Sequence, residues 1–410
     1  MRRTALVIAG ALLLTACGGG ASSGTDSGKV VFWDTSGPNE HPVFDKAAKD
    51  CAAKGGYSVD VQQVSFDQAL ANYKTAAQGG QGPDVLRSDV GWVAQLAQNG
   101  LIADLSDAVT DTSDYLDGPL GSTKYNGKTY AVPQVTDTLA LLYNKKKLTD
   151  AGVQPPATWD ELKTDAPKLG GPNAIFLNND AYYALPFIYG AGGDLLDVPN
   201  KKIVVNSARN VQALQTAKGL LDAKAATTAL DQANSYNNMK AAFSAGQVAM
   251  EIDGPWSVVD LLKGDAFKDP ANLGVAVLPG VTAGKGSGPI GGQDYVVRQG
   301  TKAKASSVKL IQCMSATDAQ VSISKQLGLL PTRKSAYDSP DVKSQPTVTA
   351  FEPAIKQAHP RPWVPAGAQL FDQLKIDYAY VLSGQKDAKT ALDEVAKTYK
   401  DQVVTDYAAG

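Results

Sequence analysis

Histidine and cysteine are scarce in this 410-residue chain, which has two histidines and three cysteines. Zinc sites and Ser/Cys–His nucleophilic sites each need several such side chains close together, so their scarcity argues against both. We therefore expect no metal and no cofactor. The 39 Lys and Arg residues nearly balance the 41 Asp and Glu residues, for a net charge of −2. Because nucleic acid demands a concentrated basic face, we also expect no nucleic-acid partner.

Long hydrophobic runs are also absent. The apolar stretch over 4–16 (TALVIAGALLLTA) is shorter than the roughly 20 residues that a transmembrane helix needs. It follows Arg2 and Arg3 and ends at Cys17, which is the layout of an export signal. The sequence LTAC resembles the bacterial lipobox, in which the cysteine is lipidated.

The predicted N-terminal organisation follows from this pattern. We expect a lipoprotein signal peptide at 1–16, lipidation of Cys17, and a flexible Gly- and Ser-rich segment over 17–28. The mature protein would then be extracytoplasmic and anchored to the outer face of the cell membrane. An ordinary secretory signal with a chance cysteine is the alternative.

Motifs of nucleotide binding and catalysis have little support. Residues 286–291 (GSGPIG) match G-x-G-x-x-G, but they lead into the strand pattern GGQDYVV instead of a helix. We interpret this segment as a flexible connection. The sequence also has no H-E-x-x-H, C-x-x-C or Walker motif.

The first third of the chain alternates strand and helix patterns, which predicts a parallel sheet covered by helices. The alternation restarts at Thr158, which is expected to cap a helix. A mature chain of 394 residues (410 less the 16 of the signal) exceeds what one core supports, so two domains are expected. The predicted elements include strands VVFWD, YSVDVQQV, DVLRS, AIFL, QVAMEI, LGVAVLP and DYVV, and helices over 39–54, 67–78, 90–99, 182–190, 207–224, 235–245 and 306–327.

Two cysteines besides Cys17 lie in helical patterns. Cys51 falls on an apolar stripe, and Cys313 lies within VKLIQCM. In an oxidising exterior they could form a disulfide that closes a long loop. Alternatively, they are two independent small core residues, because free cysteine packs as a hydrophobe.

Aromatic and acidic residues recur where predicted strands end. In open α/β sheets, ligands gather beyond the carboxyl ends of strands. Aromatic rings pack against the C–H faces of a pyranose, while carboxylates and guanidinium groups bind its hydroxyls. Each residue alone is equally well explained as core or as a helix cap, but together they predict a sugar-binding cleft. The residues are Trp33, Asp34, Asp89, Trp92, Asp137, Asp180, Tyr182, Tyr183, Trp256, Arg361 and Trp363.

Several segments resemble the substrate-binding lipoproteins of carbohydrate ABC importers, specifically the maltose/maltodextrin-binding proteins of actinobacterial type. The resemblance implies an α/β, two-lobe periplasmic-binding-protein-like fold (type II), each lobe a sheet flanked by helices. It places the first lobe at 29–135 and 294–333 and the second at 140–287 and 338–410. Three crossings would lie near 134–138, 287–293 and 331–339, and Cys51 and Cys313 would share the first lobe. The segments are KVVFWDTS, GPDVLRSDVGWVAQLAQNGLIADL, YAVPQVTDTLALLYNKKKL, TWDEL, AFSAGQVAMEIDGPW, LLPTR and RPW.

The resemblance also implies ligand roles. Asp137 matches an acidic hinge residue, Asp180 and Tyr182 match a carboxylate and a stacking tyrosine, and Trp256 matches a stacking platform. Relatives carry tryptophan after the paired glycines, whereas this chain has Gln293, so an amide replaces a stacking face. The implied sugar-binding set is Asp89, Trp92, Asp137, Asp180, Tyr182, Trp256, Gly292, Gln293, Arg361 and Phe371, together with Thr35, Ser36 and Glu40.

The function that this resemblance implies is binding without catalysis. A monomer would capture an α-gluco-oligosaccharide such as maltose or a maltodextrin by closing its lobes, and deliver it to membrane permease subunits. One alternative is a binding lipoprotein for another sugar, such as trehalose or a galactoside, or for a non-sugar solute, such as a polyamine or peptide. A further alternative is an extracellular glycosidase with Asp137 and Asp180 as acid and base.

Overall fold

The computed structural model of the protein describes Asp26 and residues 28–410. The predicted signal peptide and Cys17 lie outside the described residues. Within those residues, no helix is both long enough and apolar enough to cross a membrane.

Strands and helices alternate along most of the described chain. The strands are β1 (Lys29–Asp34), β2 (Ser58–Gln63), β3 (Val85–Asp89), β4 (Lys124–Tyr125), β5 (Lys128–Thr129), β6 (Ala131–Asp137), β7 (Ala140–Asn144), β8 (Ile175–Leu177), β9 (Leu196–Asp197), β10 (Lys202–Ile203), β11 (Thr227–Thr228), β12 (Met250–Asp253), β13 (Leu273–Ala276), β14 (Gly291–Val297), β15 (Leu330–Pro331) and β16 (Ala408–Ala409). The α-helices are α1 (His41–Gly55), α2 (Phe66–Gln78), α3 (Val93–Gln98), α4 (Asp117–Ser122), α5 (Lys145–Asp150), α6 (Trp159–Asp165), α7 (Leu185–Gly190), α8 (Ala208–Asp222), α9 (Ser235–Ser244), α10 (Val258–Leu261), α11 (Lys304–Met314), α12 (Thr317–Leu327), α13 (Pro340–Lys343), α14 (Pro346–Lys356), α15 (Leu370–Ser383) and α16 (Ala388–Thr398).

The first sheet has the strand order β15-β6-β14-β3-β1-β2. Strand β1 pairs in parallel with β2 and β3, as the alternation of elements predicts. The parallel arrangement predicted for these three strands is confirmed. Strand β14, however, is antiparallel to both β3 and β6, so the sheet as a whole is mixed. The chain enters β14 from the second sheet and not through a helical crossover, so nothing requires the parallel direction.

The second sheet has the strand order β11-β8-β12-β7-β13. Strand β8 is parallel to β11 and β12, whereas β7 is antiparallel to β12 and β13. This sheet is therefore mixed as well. Helices α14, α15 and α16 contribute Phe351, Leu374 and Leu392 to the hydrophobic core that covers it.

The chain passes between the sheets at buried positions. Strand β6 leads to β7 through Thr138 and Leu139, both fully buried. Residues 277–290 return from β13 to β14, and the chain leaves the first sheet again after β15. The lobe boundaries given above stay a prediction.

Cys51 and Cys313 form the disulfide that was one of the two alternatives. The bond joins α1 to α11 across a sequence separation of 262 residues. Both helices pack on the first sheet, through buried side chains such as Phe44 and Leu310.

The prediction of a single helix over 306–327 is wrong. Helix α11 ends at Met314, and α12 begins at Thr317 after Ala316 adopts an extended conformation with φ −66° and ψ 154°. The Ser315 carbonyl at this break accepts a hydrogen bond from Arg333 Nε at 2.6 Å, a contact with a distant segment that local periodicity does not reveal. The break lets Gln320 accept a hydrogen bond from the Thr332 backbone N–H at 2.8 Å.

Candidate functional site

Three of the predicted ligand residues meet at one edge of the first sheet. Asp89 ends β3, Asp137 ends β6, and Gln293 lies near the start of β14 between them. Gln293 is opposite Asp89, and Gly291 is opposite Asp137. The sheet therefore brings together two carboxylates and an amide that are far apart in sequence.

Arg361 adds a cation to this edge. Its Nη2 lies 3.0 Å from Asp89 Oδ1, and its Nε donates to the Ile290 carbonyl at 3.2 Å. The side chains of Arg361 and Asp89 are only 9% and 14% exposed, so the ion pair is buried. The guanidinium carbon also lies 5.6 Å from the centre of the Tyr182 ring. Arg361 thus joins the acidic edge to an aromatic residue that precedes α7.

Asp137 is perturbed by this environment. Burial raises its pKa from 3.8 to about 7, with Arg361 acting to lower it and Asp89 to raise it further. Near neutral pH the carboxyl group can therefore either donate or accept a hydrogen bond, which suits recognition of a hydroxyl group.

Five aromatic rings form a continuous row beside this polar cluster. Tyr182 lies 6.4 Å from Phe371 and 6.1 Å from Tyr183, between ring centres, and Tyr183 lies 6.5 Å from Tyr236. The half-buried Trp256 ends the row, since its Nε1–H donates to Tyr236 Oη at 3.1 Å. The structure thus brings together the predicted stacking residues and adds Tyr236, which the sequence analysis missed. We find no sequence signal that would have singled out Tyr236.

Asp180 contacts the backbone of this aromatic row at Tyr182. Residues Ala181–Ala184 form a 3-10 turn, and the Asp180 carboxylate accepts a hydrogen bond from the Tyr182 backbone N–H at 2.9 Å. The other carboxylate oxygen lies 3.2 Å from Lys375 Nζ on α15, the helix that also carries Phe371. Asp180 therefore orients the backbone at Tyr182.

A further aromatic candidate, Trp92, lies between β3 and α3. It is 8% exposed and stacks on Phe66, with ring centres 5.0 Å apart. Phe66 is itself 41% exposed, so the pair presents an apolar surface through Phe66.

Thr35, Ser36 and Glu40 lie between β1 and α1. Thr35 Oγ1 donates to the Arg87 carbonyl at 2.8 Å, and Ser36 Oγ donates to Asp34 at 2.6 Å. Both hydroxyls are thus engaged within the protein. Burial raises the pKa of Glu40, and the Arg87 charge opposes the rise.

Gly292 and Gln293 differ in what they contribute. Gly292 has φ +123°, and a Cβ there would lie 2.2 Å from the Val135 carbonyl oxygen, so glycine is required. The Gln293 Oε1 is buried and has no hydrogen-bond partner among the described residues. An unpaired buried acceptor is unfavourable, so this amide can gain from a hydroxyl donor in the cleft.

Among the described residues, no group of three or more His, Cys, Asp or Glu side chains could hold a metal ion.

One hydrogen bond that the sequence did not predict connects a segment next to the first sheet with a helix next to the second. The side-chain amide of Asn39, before α1, donates to Asp260 of α10. Asp260 also pairs with Lys240 at 3.0 Å.

Asp294, next to Gln293, provides a test of the buried electrostatics. Burial raises its pKa from 3.8 to about 8, and Ser122 Oγ donates to its Oδ2 at 2.9 Å. Between those pH values the folded protein holds a proton that the unfolded chain has lost, so this group lowers the free energy of unfolding as pH rises. Asp294→Asn removes the titration. We expect the free energy of unfolding of this variant, relative to that of wild type, to rise by on the order of 1–2 kcal/mol from pH 6 to pH 8.

Urea unfolding of both proteins at pH 6 and pH 8 measures this gain. Asp160→Asn is the control, because the Asp160 side chain is 91% exposed and should show no such pH-dependent gain. A difference between wild type and Asp294→Asn that stays constant across this range would contradict the assignment.

The chain is similar to known proteins over most of its length. Residues 46–350 match the family described as bacterial extracellular solute-binding protein. The chain is 40% identical to the GacH receptor of Streptomyces glaucescens GLA.O, which was solved unliganded and in complex with acarbose; the match covers 92% of this chain and 99% of that one, with a TM-score of 0.88.

Two further relatives are similar over most of their length. A maltotriose-binding protein of Pyrococcus abyssi is 26% identical over 393 residues, covering 92% of this chain and 82% of the relative. A maltooligosaccharide ABC transporter solute-binding lipoprotein of Streptococcus pneumoniae strain R6 is 27% identical over 439 residues, covering 98% of this chain and 97% of the relative. Each match therefore extends over most of both chains.

Proposed function

Because the chain belongs to the bacterial extracellular solute-binding protein family, we propose that it is the carbohydrate-binding component of an ABC importer. Its ligand is an α-linked gluco-oligosaccharide such as maltose or a maltodextrin. The names of the relatives support this ligand class, since two bind maltotriose or maltooligosaccharides and a third was solved with acarbose.

One observation carries the proposal: the row of five aromatic rings lies beside the cluster of Asp89, Asp137 and Arg361. A gluco-oligosaccharide presents apolar C–H faces to such rings and hydroxyl groups to such charges. Tyr182 and Arg361 are in contact, so one sugar unit can reach both kinds of group.

Closure of the two lobes would complete the site. Arg361 binds Asp89 of the first sheet, and Asn39 binds Asp260 of α10, which packs with the second sheet. We propose that a sugar held by Trp256 and Tyr182 stabilises the closed form, in which these two contacts join the lobes. The closed form would then dock on permease subunits. Lipidation of Cys17 would keep the protein near them at high local concentration.

No hydrolysis is expected. Asp180 is used as a turn cap and as a partner of Lys375, so it is poorly placed to act as an acid or base. Incubating the protein with maltotriose and analysing the products tests this point, and any shortened sugar would count against the proposal.

The binding test is a calorimetric panel of maltose, maltotriose, acarbose, trehalose and a galactooligosaccharide. Maltose, maltotriose or acarbose should bind more tightly than trehalose or the galactoside. Tighter binding of either of the latter would assign the protein to another sugar, and no binding by any of them would overturn the proposed function.

Trp256→Ala should weaken binding of the best sugar in that panel by roughly 30- to 2,000-fold. The loss combines the apolar area of the indole, worth about 1.5–3 kcal/mol, with a stacking term of about 0.5–1.5 kcal/mol. Trp256→Phe keeps an aromatic face and should lose less than about tenfold. Unchanged affinity in the alanine variant would show that Trp256 does not face the sugar.

A further inference from the structure

Tyr236 occupies a central place in the aromatic row without having been predicted as a ligand residue. Its hydroxyl accepts a hydrogen bond from the Trp256 Nε1–H, with 3.1 Å between the two heavy atoms. An indole has a single donor, so the partner of that donor determines how the ring is rotated.

The Tyr236 ring is itself held from several sides. The Lys240 ammonium, one helical turn later on α9, lies 5.1 Å from the ring centre. The Tyr183 ring lies 6.5 Å away, and Tyr236 is mostly buried. Lys240 is fixed in turn by its ion pair with Asp260. The hydroxyl that receives the indole is therefore attached to a constrained side chain.

Beneath this ring lies a buried acidic pair. Glu251 and Asp253 of β12 are both fully buried, and Asp253 Oδ2 lacks a hydrogen-bond partner of good geometry among the described residues. Tyr183, which neighbours Tyr236 in the row, donates from its Oη to Asp253 Oδ1 at 3.4 Å. Burial raises the pKa of both carboxyls.

We propose that Tyr236 is a positioning residue for the sugar platform. It sets the rotation of the Trp256 indole through the Nε1–Oη hydrogen bond, and it is itself held by Tyr183 and Lys240. The expected effect on sugar affinity rests on the proposed function, whereas the expected effect on the orientation of the indole does not. A ring that is already fixed loses little rotational freedom when the sugar binds. The entropic cost of binding is therefore smaller, and the affinity is higher.

The test is Tyr236→Phe, alone and combined with Trp256→Phe, which has no N–H to donate. Tyr236→Phe should weaken binding of maltotriose by about 5- to 10-fold. In the Trp256→Phe background the same change should cost less than about 2-fold, because the hydrogen bond is already absent. Tyr378→Phe is the matched control: Tyr378 is fully buried, and its hydroxyl has no partner among the described residues.

A second readout does not depend on sugar. The tryptophan bands of the near-ultraviolet circular dichroism spectrum, at wavelengths longer than those at which tyrosine absorbs, should change in the unliganded protein on Tyr236→Phe. This change should be absent in the Trp256→Phe background. If no sugar binds the wild type, the proposed function fails while this spectrum still tests the positioning role. Equal losses of affinity in both backgrounds, or an unchanged spectrum with unchanged affinity, would overturn the inference.

Discussion

Replacing Arg361 with alanine should destabilise the folded protein by about 3–5 kcal/mol and abolish measurable sugar binding. The substitution leaves the Asp89 carboxylate, only 14% exposed, without its cation at 3.0 Å. It also removes the positive charge that opposes the raised pKa of Asp137. Asp137 then binds a proton more readily, and the Asp89 carboxylate is left without a compensating charge at the edge where β3 and β6 end.

Urea unfolding and calorimetry with maltotriose measure the two effects. The double variant Arg361→Ala/Asp89→Asn is the control, because it removes both charges and should recover part of the lost stability. Sugar binding should stay weak in the double variant, since the guanidinium donors are still missing. If the double variant is as unstable as Arg361→Ala, the uncompensated charge is not the cause.

Removing the disulfide is expected to have the other large effect. Cys51→Ala/Cys313→Ala should lower the free energy of unfolding by up to about 4–5 kcal/mol, since the bond closes a loop with a sequence separation of 262 residues. Loss of this constraint enlarges the unfolded ensemble, while the folded contacts of α1 and α11 stay in place. Denaturant unfolding of the oxidised wild type and the double variant measures the difference.

Sugar affinity should hardly change in that variant. Cys51 lies ten residues after His41, the start of α1, which places it about 15 Å along the helix from the end near the site. Wild-type protein unfolded in the presence of a reductant should match the double variant. Two free thiols in denatured, unreduced wild type would contradict the disulfide assignment.

Local patterns predicted most of the secondary structure. The apolar stripe that includes Phe44 and Cys51 produced α1, and the Thr158 cap produced α6, where Thr158 Oγ1 accepts the Glu161 backbone N–H at 3.1 Å. These features depend on residues within one or two turns of each other, and so they can be read from sequence. The break between α11 and α12 depends on distant partners and was predicted incorrectly. The direction of β14 also depends on distant partners, and no sequence pattern predicted it.

The residues of the site also divide into those that local patterns indicate and those whose contacts depend on tertiary packing. Acidic residues at strand ends, such as Asp89 and Asp137, were identifiable because a strand pattern reveals where each strand stops. Their partners were not identifiable from pattern alone. Arg361 is 272 residues from Asp89, and Trp256 is 20 residues from Tyr236. Nothing in the periodicity of either segment specifies such a pair.

Composition and periodicity predicted two α/β domains with a sugar-binding cleft, and the resemblance of several segments indicated the class of protein. The antiparallel direction of β14 between β3 and β6, the ion pair of Arg361 with Asp89 and the hydrogen bond from Trp256 to Tyr236 become visible only in the folded chain. The physical reason is that periodicity records which face of an element is buried. Ion pairs and hydrogen bonds between distant segments arise only when packing sets their distance and excludes water.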